Sequence, residues 1–119
     1  MRQGSNGIDA FLPLSALDFQ VLLVLKDEPR HGYGIVQAAE DLSPEEPGLD
    51  IGSLYRIVAR LLDQGLIREV KRPTQLPVDG RKRRFYRATA LGLQVARAEA
   101  TRLQALLCSP QVSDLLEDS

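Results

Sequence analysis

The chain has 119 residues, of which 44% are hydrophobic, and its formal net charge is −1 at pH 7. This length suits one domain with a small core, and the longest apolar run, residues 21–25, is far shorter than the roughly 20 residues of a membrane-spanning helix. A single cysteine, Cys108, excludes an internal disulfide and cannot alone form a zinc site, so we expect a cytoplasmic protein with no metal, no cofactor and no membrane segment.

The first predicted helix follows residues 1–13, which show no clear period and are expected to form a flexible N-terminal arm. Phe11, Leu12 and Leu14 are expected to pack where the arm ends. This helix covers residues 15–26, where Ser15 and Asp18 have the spacing of a capping box. Its apolar side chains surround almost the whole helix, a pattern typical of a helix that is buried on more than one side. Because one small domain can hardly cover every face of a helix, part of this one is expected to meet another subunit.

A second helix is predicted over residues 31–42, and a third from the N-cap Asp50 to Gln64, where Gly65 closes it. The third helix has one apolar stripe at the i, i+3, i+4, i+7, i+8 spacing of a core-facing surface. The residues of this stripe are Leu54, Ile57, Val58, Leu61 and Leu62. The opposite face of the helix is predicted to be exposed.

That opposite face is the first candidate binding surface. Arg56 and Arg60 are one turn apart and able to reach a base edge or a phosphate. Ser53 and Tyr55 lie near the helix N-terminus, the end of a recognition helix that usually enters the major groove of DNA. The alternative is that both arginines are solvated and that Arg60 forms an ion pair on the surface. The candidate acidic partners are Asp63 and Asp41.

A β-hairpin is predicted next, with strands over residues 66–72 and 82–89. Both segments contain β-branched or aromatic residues, and the connection between them is a long loop with proline and glycine. The region from the third helix to the end of this hairpin, residues 51–87, contains ten Lys or Arg and three acids, a local charge of +7 against −8 for the rest of the chain. For binding to nucleic acid, the distribution of charge along the chain matters more than the total charge, so this basic region favours such binding.

Four consecutive basic residues begin the returning strand of the hairpin. They are Arg81, Lys82, Arg83 and Arg84. A run of charges usually marks only a solvated strand or a protected sheet edge. A basic hairpin directly after a helix with two outward arginines is much less often accidental, so we predict that Arg81, Lys82 and Arg83 contact DNA.

A last helix is predicted from the N-cap Thr89 to about Leu107, and we assign residues 90–108 as a dimerisation helix because its apolar residues lie on one side. The alternative is that this helix folds back over the first helix within the monomer. The predicted dimer-interface residues are Leu17, Phe19, Val95, Leu103, Leu106 and Leu107. Residues 109–119 form an acidic tail, expected to be either a short helix or disordered, with no assigned function.

Three segments, residues 31–35, 52–67 and 80–92, form a pattern that is specific in its order and spacing. In this pattern the chain resembles the PadR family of bacterial transcriptional regulators. The resemblance implies a mainly α fold with a small β-hairpin, in which residues 14–89 form a winged helix-turn-helix domain. It also implies a homodimer built by the first and last helices, as in the small subfamily that has a single C-terminal dimerisation helix.

The residues and the resemblance together predict a sequence-specific DNA-binding transcriptional regulator. We expect a homodimeric repressor that binds a double-stranded DNA operator, with a small-molecule effector at the dimer interface as one route of release. The alternative is a winged-helix module that binds another protein and not DNA. An enzyme is disfavoured because the sequence has no nucleophile with a matched base, no glycine-rich phosphate loop and no metal-ligand spacing.

Overall fold

The computed structural model describes residues 6–44, 48–74 and 83–117, and the structural statements below concern these residues. The elements in chain order are α1 (Asn6–Asp9), α2 (Ala16–Asp27), β1 (Arg30–His31), α3 (Gly32–Leu42), α4 (Ile51–Asp63), β2 (Ile67–Val70), β3 (Phe85–Ala88), α5 (Ala90–Leu107) and α6 (Pro110–Glu117). The three strands form one antiparallel sheet in the order β1-β3-β2. The fold is therefore mainly α with a small sheet, as the sequence predicts.

The core lies where α2, α3, α4 and the sheet meet, with α2 at its centre. Its largest fully buried side chains are Leu22, Leu25, Ile35, Leu54, Leu61, Leu66, Ile67, Val21 and Val95. They come from α2, α3, α4, α5 and the start of β2, so these helices and the sheet share one hydrophobic core.

The helix ends follow from local capping chemistry. The Ser15 hydroxyl accepts a hydrogen bond from the Asp18 N–H (3.1 Å), and the Asp50 carboxylate accepts one from the Ser53 N–H (2.7 Å). Gly65 follows α4 with a φ of 76°, in the left-handed region that glycine adopts without strain. The predicted limits of α2 and α4 are thus confirmed to within a residue or two.

The sheet has one more strand than predicted. Strand β1 contains only Arg30 and His31, which pair with Tyr86 and Phe85 of β3. Strands β2 and β3 are each four residues long, shorter than the predicted segments, and Ile67 pairs with Ala88 at their inner end. Strand β1 matters because its pairing with β3 fixes the start of α3 beside the outer end of β3.

The N-terminal segment is more structured than expected. Within the predicted flexible arm, residues 6–9 form α1 and Ile8 packs against the core, which was not predicted, and Phe11 and Leu12 pack there as predicted. Burial of these apolar side chains offsets the conformational entropy lost by ordering the segment. At the other end of the chain, the acidic tail forms α6, which is the helical alternative of the two that were predicted.

A compact junction links α4, the sheet and α5. The Thr89 N–H donates to the Leu66 carbonyl (3.0 Å), and the Thr89 hydroxyl donates to the Gly65 carbonyl (2.7 Å). A Cβ atom at Gly92 would lie 2.0 Å from the Leu66 carbonyl oxygen, so only glycine allows this close approach. The start of α5 is consequently held against the residues that follow α4.

Helix α5 packs over α2 in its N-terminal half and extends past the core in its C-terminal half. Val95 is fully buried within the chain, so it belongs to the monomer core, contrary to its predicted place in a dimer interface. Leu106 and Leu107 are 53% and 61% exposed. The alternative in which this helix folds back within the monomer therefore applies to its first half, and the second half leaves Leu106 and Leu107 uncovered, so dimerisation through it stays a prediction.

Candidate nucleic-acid interface

Helix α4 separates a buried face from an exposed one. Leu54, Ile57, Val58 and Leu61 of the predicted stripe are buried, whereas Leu62 lies at its edge and is 36% exposed. Tyr55, Arg56, Ala59 and Arg60 are exposed on the other side, and Ser53 is partly exposed near the N-terminus. The helix is thus anchored by apolar packing while its outer face stays available.

At the N-terminus of α4, Asp50, Ser53 and Arg56 form a short chain of polar contacts. The Arg56 Nη2 donates to the Ser53 Oγ at 3.3 Å, on an exposed surface. The backbone N–H of Ser53 lowers the pKa of Asp50, and the Ser53 hydroxyl and the charge of Arg56 add to this effect. Asp50 is therefore a fixed negative cap, and the hydrogen bond that Arg56 donates to Ser53 is long and solvated.

Arg60 has a different environment from the one predicted. Its Nη2 donates to the Oδ1 of Asp18, a buried residue of α2, and the two form an ion pair. The alternative of an ion pair for Arg60 therefore holds, but its candidate partners, Asp63 and Asp41, were wrong. Because Asp18 lies in α2, this ion pair links α4, the candidate recognition helix, to the helix at the centre of the core.

An open groove of about 610 Å³ lies between the N-terminal ends of α3 and α4 and the start of β3. We call it the tyrosine groove, because all three tyrosines of the chain line it. Its described lining residues are His31, Gly32, Tyr33, Ile51, Tyr55, Arg83, Arg84 and Tyr86. Two arginines and no carboxylate are among these lining residues, so the groove favours an anion.

His31, the one histidine of the chain, organises one wall of this groove. Its Nδ1 accepts a hydrogen bond from the Gly34 N–H at 3.1 Å and so caps α3. Its ring packs edge-on against Phe85, with ring centroids 5.3 Å apart, and the Arg83 Nη1 lies 3.4 Å from its Nδ1. These contacts link the α3 start to the base of the predicted wing.

Of the predicted wing residues, the structure describes only Arg83, and Arg81 and Lys82 lie outside the described residues. Sequence reasoning missed Tyr33 and Tyr86 and did not select Arg84. Burial raises the pKa of Tyr86, and the charge of Glu69 adds to the increase, so the Tyr86 hydroxyl stays protonated. No local signal brings these residues together, because their convergence depends on the pairing of β1 with β3.

A second groove, of about 570 Å³, lies along the C-terminal half of α5 beside α2. Its lining residues are Phe19, Arg97, Ala100, Thr101, Leu103, Gln104, Leu107 and Cys108. Phe19, Leu103 and Leu107 were predicted interface residues, and Leu17 is also partly exposed on α2. This surface is called the α2–α5 groove below.

Within the described part of the chain, no group of His, Cys, Asp and Glu side chains is arranged to hold a metal ion. Across residues 6–44, 48–74 and 83–117, no helix has both the length and the apolar character needed to cross a membrane.

Three packed helices (α2, α3 and α4), a small antiparallel sheet and an exposed face of α4 near Arg83 and Arg84 define the winged-helix class of DNA-binding regulators. The model of the transcriptional regulator PadR-like family matches residues 21–98, and the chain belongs to this family. It is therefore a DNA-binding transcriptional regulator.

Solved structures show the same fold. A PadR-like transcriptional regulator from Bacillus cereus strain ATCC 14579 has a TM-score of 0.68 and 23% identity, covering 84% of this chain and 90% of that one. A PadR family transcriptional regulator from Eggerthella lenta DSM 2243 has a TM-score of 0.64 and 28% identity, covering 87% of this chain and 83% of that one. RosR from H. salinarum has a TM-score of 0.60 and 22% identity, with 91% of each chain covered. Among curated proteins, no sequence matched this chain.

Proposed function

We propose that the protein is a sequence-specific repressor that binds an operator in double-stranded DNA as a homodimer. The observation that carries the proposal is the outer face of α4, where Tyr55 and Arg56 are exposed beside the tyrosine groove. Membership of the PadR-like family supports DNA as the ligand.

In this proposal the N-terminal half of α4 enters the major groove. Arg56 reads a base, because an arginine pairs in a bidentate manner with the O6 and N7 atoms of guanine. Its hydrogen bond to Ser53 is solvated and 3.3 Å long, so little is lost when the side chain turns to a base edge. Ser53 and Tyr55 contribute polar contacts on the same face, and Arg60 mainly positions the helix through Asp18.

The wing supplies contacts that carry charge more than sequence information. Arg81, Lys82 and Arg83 are proposed to reach the backbone or the flanking minor groove. Their concentration in a region with a local charge of +7 supports this role. Several neutralised phosphates would make affinity fall with salt, by roughly 10³ to 10⁵ between 50 and 200 mM for 6 to 10 contacts.

Dimerisation is proposed through α2 and the C-terminal half of α5. The side chains proposed for this interface are Leu17, Phe19, Leu103, Leu106 and Leu107. Exposed apolar surface of this kind is stabilised when a second copy covers it. A two-fold dimer would place two α4 helices in successive major grooves about 34 Å apart. The α2–α5 groove, closed by the partner, is the proposed site for a small-molecule effector.

DNA binding is tested by fluorescence anisotropy with duplex from the upstream region of the protein's own gene and with a scrambled duplex, at several salt concentrations. Arg56→Ala is expected to weaken binding to the preferred duplex by about 1 to 3 kcal/mol and to relax the preference at one base pair. Lys26→Ala, on an exposed end of α2, is the matched control and should leave binding unchanged. If the parent binds no duplex even at low salt, the protein-interaction alternative replaces this proposal.

The dimer is tested by analytical ultracentrifugation. Leu107→Glu introduces a charge into the α2–α5 groove and is expected to shift the protein to a monomer and to weaken operator binding. Ala105→Glu adds the same charge two positions away, on the other side of the helix, and should leave the dimer intact. A parent protein that stays monomeric at micromolar concentrations would contradict the proposed assembly.

A further inference from the structure

The tyrosine groove meets the outer face of α4 at Tyr55, and Arg56 is not among its described lining residues. Four elements supply its walls: β1 gives His31, α3 gives Tyr33, α4 gives Tyr55, and β3 with the residues before it gives Arg84 and Tyr86. Base reading by Arg56 does not use this space. The tyrosine and arginine side chains of the groove are therefore available for a separate contact.

We propose that the tyrosine groove holds a phosphate of the DNA backbone, with Tyr33 and Arg84 as the contacting side chains. This inference rests on the proposed DNA-binding function and adds a positioning contact to it. The phosphate is held where the recognition helix, α3 and the wing converge, so it sets how deeply α4 enters the major groove.

Tyr33 has a hydroxyl suited to this role. The side chain is 58% exposed, and its oxygen accepts a hydrogen bond from the Gln37 Nε2 at 3.3 Å. A tyrosine hydroxyl has one proton to donate in addition to its acceptor lone pairs. The bond from Gln37 orients the oxygen and does not consume that proton, which is left to donate to a phosphate oxygen.

Arg84 supplies the positive charge. It is exposed at the entrance to β3, next to the protonated hydroxyl of the buried Tyr86. A guanidinium has five N–H donors in a fixed fork, so contact with one tyrosine hydroxyl leaves donors for two phosphate oxygens. No acidic residue is among the described residues that line the groove, so nothing in this lining neutralises the charge.

The position of the groove favours a backbone phosphate over a free one. Ile51 and Tyr55, at the N-terminal end of α4, form part of its lining. That end of a recognition helix enters the major groove, whose edges are the phosphate backbones. A free phosphate shares the chemistry, and the experiment below separates the two sources.

A backbone contact predicts effects that do not depend on DNA sequence, because phosphate contacts position a protein and do not specify bases. Arg84→Gln is expected to weaken binding to the upstream duplex and to the scrambled duplex by the same factor, about tenfold at low salt. It should also lower the slope of log affinity against log salt by about 1. Tyr33→Phe is expected to weaken both by about threefold with an unchanged slope, because it removes a neutral donor.

Both variants are exposed substitutions, and circular dichroism checks that they fold. Lys26→Gln is the control for the loss of one positive charge and should not change the affinity for either duplex. A loss of affinity for the upstream duplex alone, with unchanged affinity for the scrambled duplex, would overturn the proposal, because it would mean that these side chains read bases. Unchanged affinities in both variants, with a parent that binds DNA, would also overturn it while leaving the proposed function intact.

A measurement with inorganic phosphate distinguishes a phosphate of the DNA backbone from a free phosphate ion. If it raises the melting temperature of the parent but not of Arg84→Gln, and duplex affinity is the same in both, the groove takes free phosphate and the backbone assignment is overturned. A parent that binds no duplex at all removes the proposed function and this inference together.

Discussion

Replacing Glu99 by Gln tests the polar contact that joins the N-terminal segment to α5. Glu99 is 2% exposed, and its Oε1 accepts hydrogen bonds from the Leu14 N–H (3.2 Å) and the Arg102 Nε (3.1 Å). Its Oε2 accepts a third from the Arg102 Nη2 (2.7 Å). The substitution keeps the shape of the side chain but removes the charge and replaces one acceptor with an N–H₂ group that faces a guanidinium.

The magnitude follows from these three bonds. A buried hydrogen bond to a charged group contributes about 1.5 to 3 kcal/mol. The Arg102 side chain is 42% exposed, so its share is reduced by solvent screening. The glutamine oxygen still accepts one bond, and we expect Glu99→Gln to lower the free energy of unfolding by about 2 kcal/mol at pH 7.

The effect should depend on pH with a definite sign. The hydrogen bond from Arg102 lowers the pKa of Glu99, and the backbone N–H of Leu14 and the charge of Arg102 lower it further, against the opposing effect of burial. A carboxyl group whose folded pKa is below its unfolded value stabilises the protein above the unfolded pKa, about 4.3, and this stability is lost as the pH falls through the folded pKa. The difference between parent and variant should therefore shrink at acidic pH.

Urea denaturation followed by circular dichroism measures this difference at pH 7 and at pH 3. All samples need the same protein concentration, because an oligomer's stability depends on it. Glu40→Gln, an exposed helix residue, is the control and should stay within about 0.5 kcal/mol of the parent. A Glu99→Gln variant as stable as the parent at pH 7, or one with the same deficit at both pH values, would refute the reasoning.

Three further substitutions are predicted to separate folding from binding. Gly92→Ala places a Cβ 2.0 Å from the Leu66 carbonyl oxygen, a backbone atom that cannot yield cheaply, and should lower stability by about 3 kcal/mol in a thermal melt; an unchanged melting temperature would contradict the junction described above. Gly32→Ala meets the Tyr55 hydroxyl oxygen at 2.9 Å, the movable end of an exposed side chain, so stability should change by less than about 1 kcal/mol while duplex affinity falls; intact affinity would count against a role for Tyr55. Asp18→Asn removes the buried charge that holds the recognition helix and should cost about 1 to 2 kcal/mol in urea denaturation, with no loss if the ion pair contributes nothing.

Sequence reasoning was accurate where the signal is local. The first residues of α2, α4 and α5 follow from Ser15, Asp50 and Thr89, each of which caps the helix that starts after it. The apolar stripe of α4 likewise identified four buried residues, and only Leu62 at its edge is more exposed than predicted. Capping and helical periodicity act over three or four residues, so they can be recognised without knowledge of the fold.

Features that depend on distant contacts could not be predicted in the same way. Strand β1 has two residues, too few for any periodic pattern, yet it brings His31 to Phe85. The partner of Arg60 is 42 positions earlier in the chain, on another helix. Glu99 lies in the apolar stripe of α5, where its burial depends on Leu14 and Arg102 as partners. These contacts exist only once the helices have packed.

The two faces of α4 also determine which of its residues can be substituted without loss of stability. The side chains that hold the helix in place point inward, whereas Ser53, Arg56 and Ala59 have no part in the core. Substitutions at these three positions therefore carry almost no penalty in folding. In the proposed binding mode, where this face of α4 meets the major groove, new operator specificities lie within a few mutations of this sequence.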